Sequence, residues 1–472
     1  MSNGNERYYV VCSVCKRPSP EGRILCQYCW SRLQSGVKIN QSEADELLRK
    51  WKIASKRKKK IKWISITTGS VILVAALVLS YLDNYTDTLQ IPSPTLNSNP
   101  PDGQWSMFRH DLLHSGATGN NTMLPQGQVQ WTFSASGPIY SSPAVVDGVV
   151  YFGSRDGKMY ALNAASGSEL WEYQTGSWVD SSPTVTGGIV YFGSHDGNLY
   201  ALDARTGRKI WSFHTVYVID SSPAVAGGVV YFGSADWHLY ALDALTGKKL
   251  WAFKASVNGV DSSPVVANGI VYFEAGDSWI YGLRADNGQF RLHFKAYNVA
   301  SSPAIDGKIV YFCDSFGTLS AVDGLARSRW YDYGNFKGVW VQLWGMGVAP
   351  KPPPISGSLW STPLGYNPII SSPVVSDNKL YVGADNNLVA VDTENEKPLW
   401  SFQTGGRVNS SPAVVENTVY VGSEDGRIYA IDATSGQELW HVVTGAQIDS
   451  SPALANGILY VGSFDGKMYA IK

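Results

Sequence analysis

The sequence predicts a mainly β protein: a ring of eight four-stranded blades, preceded by a small cysteine-held head and one membrane-spanning helix. Three observations predict it. Ser-Ser-Pro recurs at 141–143, 181–183, 221–223, 262–264, 301–303, 371–373, 410–412 and 450–452, spaced by 40, 40, 41, 39, 70, 39 and 40 residues. A period near this length, with turn residues inside it, marks a propeller or a solenoid. Composition agrees, because 47 Gly, 17 Trp and 26 Tyr with only 16% charged residues suit short strands and tight turns. The same numbers exclude a coiled coil and a disordered chain. The N-terminal part departs from the pattern. Residues 1–62 hold 15 Lys+Arg against 5 Asp+Glu, and the remainder holds 23 against 34. The formal net charge of -1 therefore sums two oppositely charged parts.

The head occupies 8–33. Cys12, Cys15, Cys26 and Cys29 form two Cys-x-x-Cys knuckles separated by ten residues. Each knuckle turns two thiolates toward one point, so the four predict a tetrahedral structural zinc site in a short ribbon. So small a segment buries too little to fold alone, and the metal supplies the folding energy. A closed four-sulfur site leaves no open position, so no catalysis is expected there. Iron, or a set of reactive thiols, is the competing reading. Residues 34–62 read as a short helix, Gln41–Lys52, and a basic run with nine Lys/Arg from Arg49 to Lys62. Trp63–Leu82 is 20 residues without a charge. As a helix it reaches about 30 Å, the thickness of a hydrocarbon core. The basic flank predicts a single-pass plasma-membrane protein with a cytoplasmic N-terminus and an extracytoplasmic ring. Residues 83–104, rich in Pro, Asn and Ser, read as an extended tether.

The ring fills 105–472. Its repeat Ser181–Phe213 parses into the strands SPTV, IVYFGS, LYALDA and KIWSF, joined at Gly-Gly, Asp-Gly and Thr-Gly. Pro143 and its equivalents lack an N–H and suit an innermost edge strand. Trp171, Trp211, Trp251, Trp330, Trp400 and Trp440 are read as blade ends wedged between neighbours. The last repeat lacks its Trp strand, and an orphan strand, Val129–Phe133, precedes the first. Together they predict a closed ring without a free edge.

Tyr-Ala-Leu-Asp-Ala-x-Thr-Gly at 200–207 and 240–247, followed by Trp211 and Trp251, resembles the tryptophan-docking repeat of the PQQ-like propellers. That family includes PQQ-dependent alcohol dehydrogenases and the outer-membrane assembly lipoprotein BamB. Trp105–Gly116 resembles the family's lead-in segment. The resemblance implies the fold and leaves the function open, because the repeat encodes blade packing. In the dehydrogenases it implies a quinone, a calcium ion and an adjacent Cys-Cys disulfide. This chain has no Cys-Cys pair, so neither PQQ nor enzymatic activity is expected. It also departs from the lipoprotein, having an apolar anchor and no lipid-attachment cysteine after it.

What varies between repeats points to binding. The residue before each Ser-Ser-Pro is Tyr140, Asp180, Asp220, Asp261, Ala300, Ile370, Asn409 or Asp449. These fall at the mouth of the channel, where Asp180, Asp220 and Asp261 make an acidic arc on three consecutive blades. The arc could attract a basic peptide or a cation, or the aspartates could cap local turns. The 70-residue spacing holds an aromatic insertion near 331–366, with Trp340 and Trp344. Placed after Trp330, it is expected at the same mouth, as a binding loop or a lid. His110-Asp111-x-x-His114 could ligate a metal or fasten the lead-in to a blade. The expected function is an anchored scaffold that binds a protein or an envelope polymer. A ligand sensor relaying to the ribbon is the alternative. No nucleic-acid partner is expected for the ring.

Overall fold

The computed structural model describes residues 7–33, 37–58, 104–115, 117–118, 124–255, 258–295, 301–328, 336–352, 355–365 and 371–472. The expected spanning segment 63–82 lies outside these residues, as do 83–103 of the tether. Among the described residues no helix is long and apolar enough to cross a membrane. The chain divides into two compact units, Met1–Ile91 and Pro92–Lys472.

In the first unit, Tyr8–Val11 pairs with Pro18–Pro20 on one side and Lys38–Asn40 on the other. A helix follows over 41–58, six residues longer than its sequence pattern suggested. Its start is a capping box: the Glu43 N–H donates to Asn40 Oδ1, and the Asn40 N–H donates to Glu43 Oε2. Arg17 lies 3.3 Å over the Trp51 ring, which ties the helix to the first knuckle.

The second unit holds eight four-stranded antiparallel sheets, one of them extended by a short fifth strand. This is consistent with a propeller of eight blades. Blades 1 to 8 begin at Ala144, Thr184, Ala224, Val265, Ala304, Val374, Ala413 and Ala453. The eighth is completed by Val129–Ser134, which pairs with Lys467–Ile471, the closure that the orphan strand predicted. Ser-Ser-Pro precedes each inner strand and does not belong to it, a correction to the strand limits read from sequence. Its second serine closes the centre instead. The N–H of Ser142 donates to Ser182 Oγ, and the relay passes through Ser222, Ser263, Ser302, Ser372, Ser411 and Ser451 back to Ser142. Only a small side chain with its own acceptor fits so close to the axis, so these positions repeat without variation.

Tryptophans lock neighbouring blades. Trp171 donates to the Ala204 carbonyl and Trp211 to that of Ala244, each in the next blade, and Trp131 donates to Ala164 across the closure. A Cβ on Gly207 would lie 2.7 Å from the Trp171 ring, and its φ is +69°, so both packing and backbone require glycine there. In blade 5 this role falls to Trp360, which pairs with Ala321 as Trp171 pairs with Ala161. Trp330 lies outside the described residues. The outer strand of blade 5 is Ser358–Pro363, so the insertion runs from 324 to 357, between the third and fourth strands.

That assignment moves the insertion to the other face. In an antiparallel meander, successive connections alternate between the two ends of the strands. The connection before each inner strand and the one between strands two and three share one face, the mouth. The connections between strands one and two, and three and four, share the far face. The insertion therefore leaves from the far face. Trp340 and Trp344 do not share the mouth with the aspartates, contrary to the sequence reading.

The lead-in enters at the far face as well. Gln104 donates to Asp147, in the turn after the first inner strand. Trp105 then pairs with Val145, Ser106 accepts from Val185, Leu112 from Val266 and Leu113 from Ile305. Ala117–Thr118 runs parallel to Val414–Val415. Residues 104–118 thus cross the inner strands of five blades and plug the channel.

Candidate functional site

Two places gather chemistry-bearing side chains. In the first unit the four knuckle cysteines converge, with every Sγ within 4.8 Å of the others. Cys12 and Cys29 are 3.6 Å apart, and Cys15 and Cys26 are 3.5 Å apart. Sulfurs held at about 2.3 Å from a tetrahedral ion stand at nearly this separation, so the donor set fits zinc. The two knuckles are built alike. Lys16 N–H donates to Cys12 O and Trp30 N–H to Cys26 O, both from residues with φ of 58°. The Ser31 hydroxyl, then the backbone at Cys15, lowers the Cys12 thiol, while burial raises that of Cys15 beside it. The lowering at Cys12 favours the thiolate a metal requires.

The second place is the mouth, where two loops of each blade meet. Asp180 takes a two-pronged bond from Arg155, with Nη2 to Oδ2 at 2.8 Å. His195 Nε2 lies 2.5 Å from Asp220 and 3.4 Å from Asp180. Burial raises Asp180, but His195 and Arg155 outweigh it and hold the carboxylate below its ordinary value. Asp180 and Asp220 in turn raise His195 to about 10, so its ring is charged at neutral pH. Two cations thus balance two carboxylates across blades 1 to 3. Asp180, His195 and Asp220 could also converge on a metal ion. Arg155 already occupies Asp180 on both oxygens, which favours the ion-pair reading.

Asp261 continues the arc. Burial, then the neighbouring Asp220, raises it to about 6. Asp449 accepts from Asn409 at 3.2 Å and is also raised, first by burial. Turn capping, the other reading of these aspartates, belongs to a different set. Asp156, Asp196 and Asp425 each accept the N–H two residues on, and also a tyrosine hydroxyl.

Sequence reasoning missed the partners of the arc. Arg155 and His195 occupy one variable position, just after the turn serine of strand two. Elsewhere that position carries Ala235, Gly276, Ser315, Asp385, Glu424 or Phe464. It varies as much as the aspartate position does, and that variation was the available signal. Also missed were exposed apolar side chains around the arc: Trp178, Val216, Tyr217, Trp237 and Phe316, of which Val216 is 78% exposed. All five lie in mouth-face loops.

The plug carries a further cluster of polar side chains. His110, Asp111 and His114 do not converge as ligands. Asp111 accepts from the N–H groups of Leu113 and Ser115, while His114 Nδ1 meets the Pro303 carbonyl at 3.2 Å. Burial, then the charge of Arg109, lowers His114 to about 3, so the ring is neutral and donates from Nδ1. Arg109 is fully buried and reaches the Ser302 and Pro303 carbonyls. These residues fasten the lead-in. Cys313 is a buried free thiol at a position that is glycine in most blades.

The family model described as outer membrane protein assembly factor BamB matches residues 122–323 and 339–472. Its gap falls inside the insertion. Among curated proteins none matches the chain. BamB from Moraxella catarrhalis superimposes with a TM-score of 0.58 at 17% identity, over 73% of this chain and 97% of that one. A quinohemoprotein alcohol dehydrogenase from Comamonas testosteroni gives 0.64 at 15%, over 79% and 81%. A europium-containing methanol dehydrogenase gives 0.63 at 14%, over 78% and 92%. At such identities the likeness to these structures shows the fold alone.

Proposed function

This chain belongs to the family of propellers described as outer membrane protein assembly factor BamB, and from that premise we propose that it is a binding scaffold. Its working surface is the mouth, and its partner is a protein. One observation carries the reading: Trp178, Val216, Tyr217 and Trp237 stand exposed around the charged arc of Asp180, Asp220 and Asp261. Large side chains on a rigid frame, rimmed by charge, are what protein partners bury at the centre of an interface. The serine relay and the tryptophan bonds join the blades beneath them, an arrangement that keeps the ordering cost of binding low. Burial raises Asp261 and Asp449 above the ordinary carboxylate value, and a basic partner would relieve that cost.

The head reads as a cytoplasmic zinc ribbon and residues 63–82 as a single-pass anchor in the plasma membrane. The nine Lys/Arg that precede the anchor support this topology. The ring then stands outside.

A quinone enzyme is the competing reading from the same fold, and the mouth argues against it. The Tyr140 and Phe464 rings meet at a 40° tilt with centroids 3.9 Å apart, and Arg155 lies 3.4 Å over the Tyr140 ring. The cations beside them, Arg155 and His195, are paired with Asp180 and Asp220.

Photo-crosslinking in cells tests the proposal. A photoreactive residue in place of Trp178 or Tyr217 should capture one and the same protein, and Leu245, exposed on the far face, should not. Equal capture from all three positions, or none from the mouth, would overturn it.

A further inference from the structure

We propose that the insertion of blade 5 is a membrane-interface element that lays the far face of the ring on the anionic surface of the bilayer. The inference rests on the anchor proposed above.

The roots of the insertion are packed. The Ser328 hydroxyl accepts from the His293 N–H at 2.9 Å, and Ile355 joins the core between blades 4 and 5 beside Leu113. The tip is a helix, Phe336–Gly345, closed by a turn. Three hydrogen bonds brace the tip internally: Met346 N–H to the Gln342 carbonyl, Val348 N–H to the Leu343 carbonyl, and Trp340 Nε1 to the Pro350 carbonyl. Five of its apolar side chains face water. Val339, Val341 and Trp344 are exposed, and Met346 and Val348 are 67% and 73% exposed. A cluster of this size is costly in water without something to cover it.

Charge and chain path identify the cover. Residues 324–357 hold Arg327, Arg329, Lys337 and Lys351 against Asp332 alone, in a ring that is otherwise acidic. Lys351 Nζ lies 6.0 Å over the Trp344 ring, so one cation accompanies the exposed aromatic. A short apolar helix with Trp and flanking Lys is the composition that settles at the level of lipid headgroups. The basic balance suits anionic lipid. The chain also enters the ring on this face, at Gln104, beside the Asp147 turn. From 83 to 103 the tether reaches at most about 70 Å. It permits contact with the membrane without imposing it, and the insertion supplies the contact. The mouth is then turned away from the bilayer, toward a partner.

The test uses the full chain reconstituted in phosphatidylcholine vesicles, with and without phosphatidylglycerol, containing nitroxide-labelled lipid. A fluorophore is attached through a genetically encoded azide at Met346 or, on the mouth face, at Val216. The account expects severalfold stronger quenching at 346 than at 216. Lys337→Glu with Lys351→Glu should reduce it, mainly in the anionic vesicles. If the chain floats with the vesicles and the two labels are quenched equally, this inference fails and the anchor stands. A chain that does not float overturns both. A label at 346 that is buried without vesicles, in proportion to protein concentration, assigns the surface to a second copy and overturns the inference.

Discussion

The two faces of the ring differ in the state of their histidines. At the mouth His195 lies between two carboxylates and is charged. In the plug that enters from the far face, His114 is buried against a carbonyl and is neutral. One face keeps charge at the surface, available to a partner. The other holds its histidine neutral beside the buried Arg109, so that a chain segment can lie inside the channel. The same repeat supports both because the blades pack through their serines, glycines and tryptophans, and these leave the loops free to vary.

The largest expected effect comes from destroying what the faces share. Deleting Val129–Ser134 removes the fourth strand of blade 8 and leaves Lys467–Ile471 as a free edge. Light scattering should show aggregation of the purified protein. A monodisperse monomer would contradict closure by this strand.

The second effect separates the faces by pH. The folded pKa of His114 is depressed to about 3 from 6.5, so between these values the unfolded chain binds the extra proton. Its contribution is intact above pH 6.5 and is lost as pH falls, by about 2 kcal/mol near pH 5. His195 is raised to about 10, so its contribution is present below 6.5 and lost as pH rises through about 10. Denaturant titrations should show His114→Gln flattening the acid limb and His195→Gln flattening the alkaline limb. If both variants altered the same limb, the contrast between the faces would be wrong.

Much of this was legible in the chain. The Ser-Ser-Pro period gave the blade number, and the missing last strand gave the closure, because every blade must bury the same face. The four cysteines announced their site through spacing alone. The insertion was misplaced for a physical reason. Trp330 falls where a blade tryptophan is due by spacing, while Trp360 sits in SLWSTP, an equally good outer strand, and only the pairing with Ala321 decides between them. The aspartates were found because they vary at a repeated position. Arg155 and His195 vary at another, but which pairs form across blades depends on side-chain reach, which no spacing encodes.

The central claim is that the mouth faces a partner while the far face lies on the bilayer. Azide side chains at Val216 and Met346, offered a bulky membrane-impermeant alkyne on spheroplasts, test it most directly. The account predicts fast labelling at 216 and slow labelling at 346, with the two rates equal once detergent dissolves the membrane. Labelling at 346 as fast as at 216 on intact spheroplasts would contradict it.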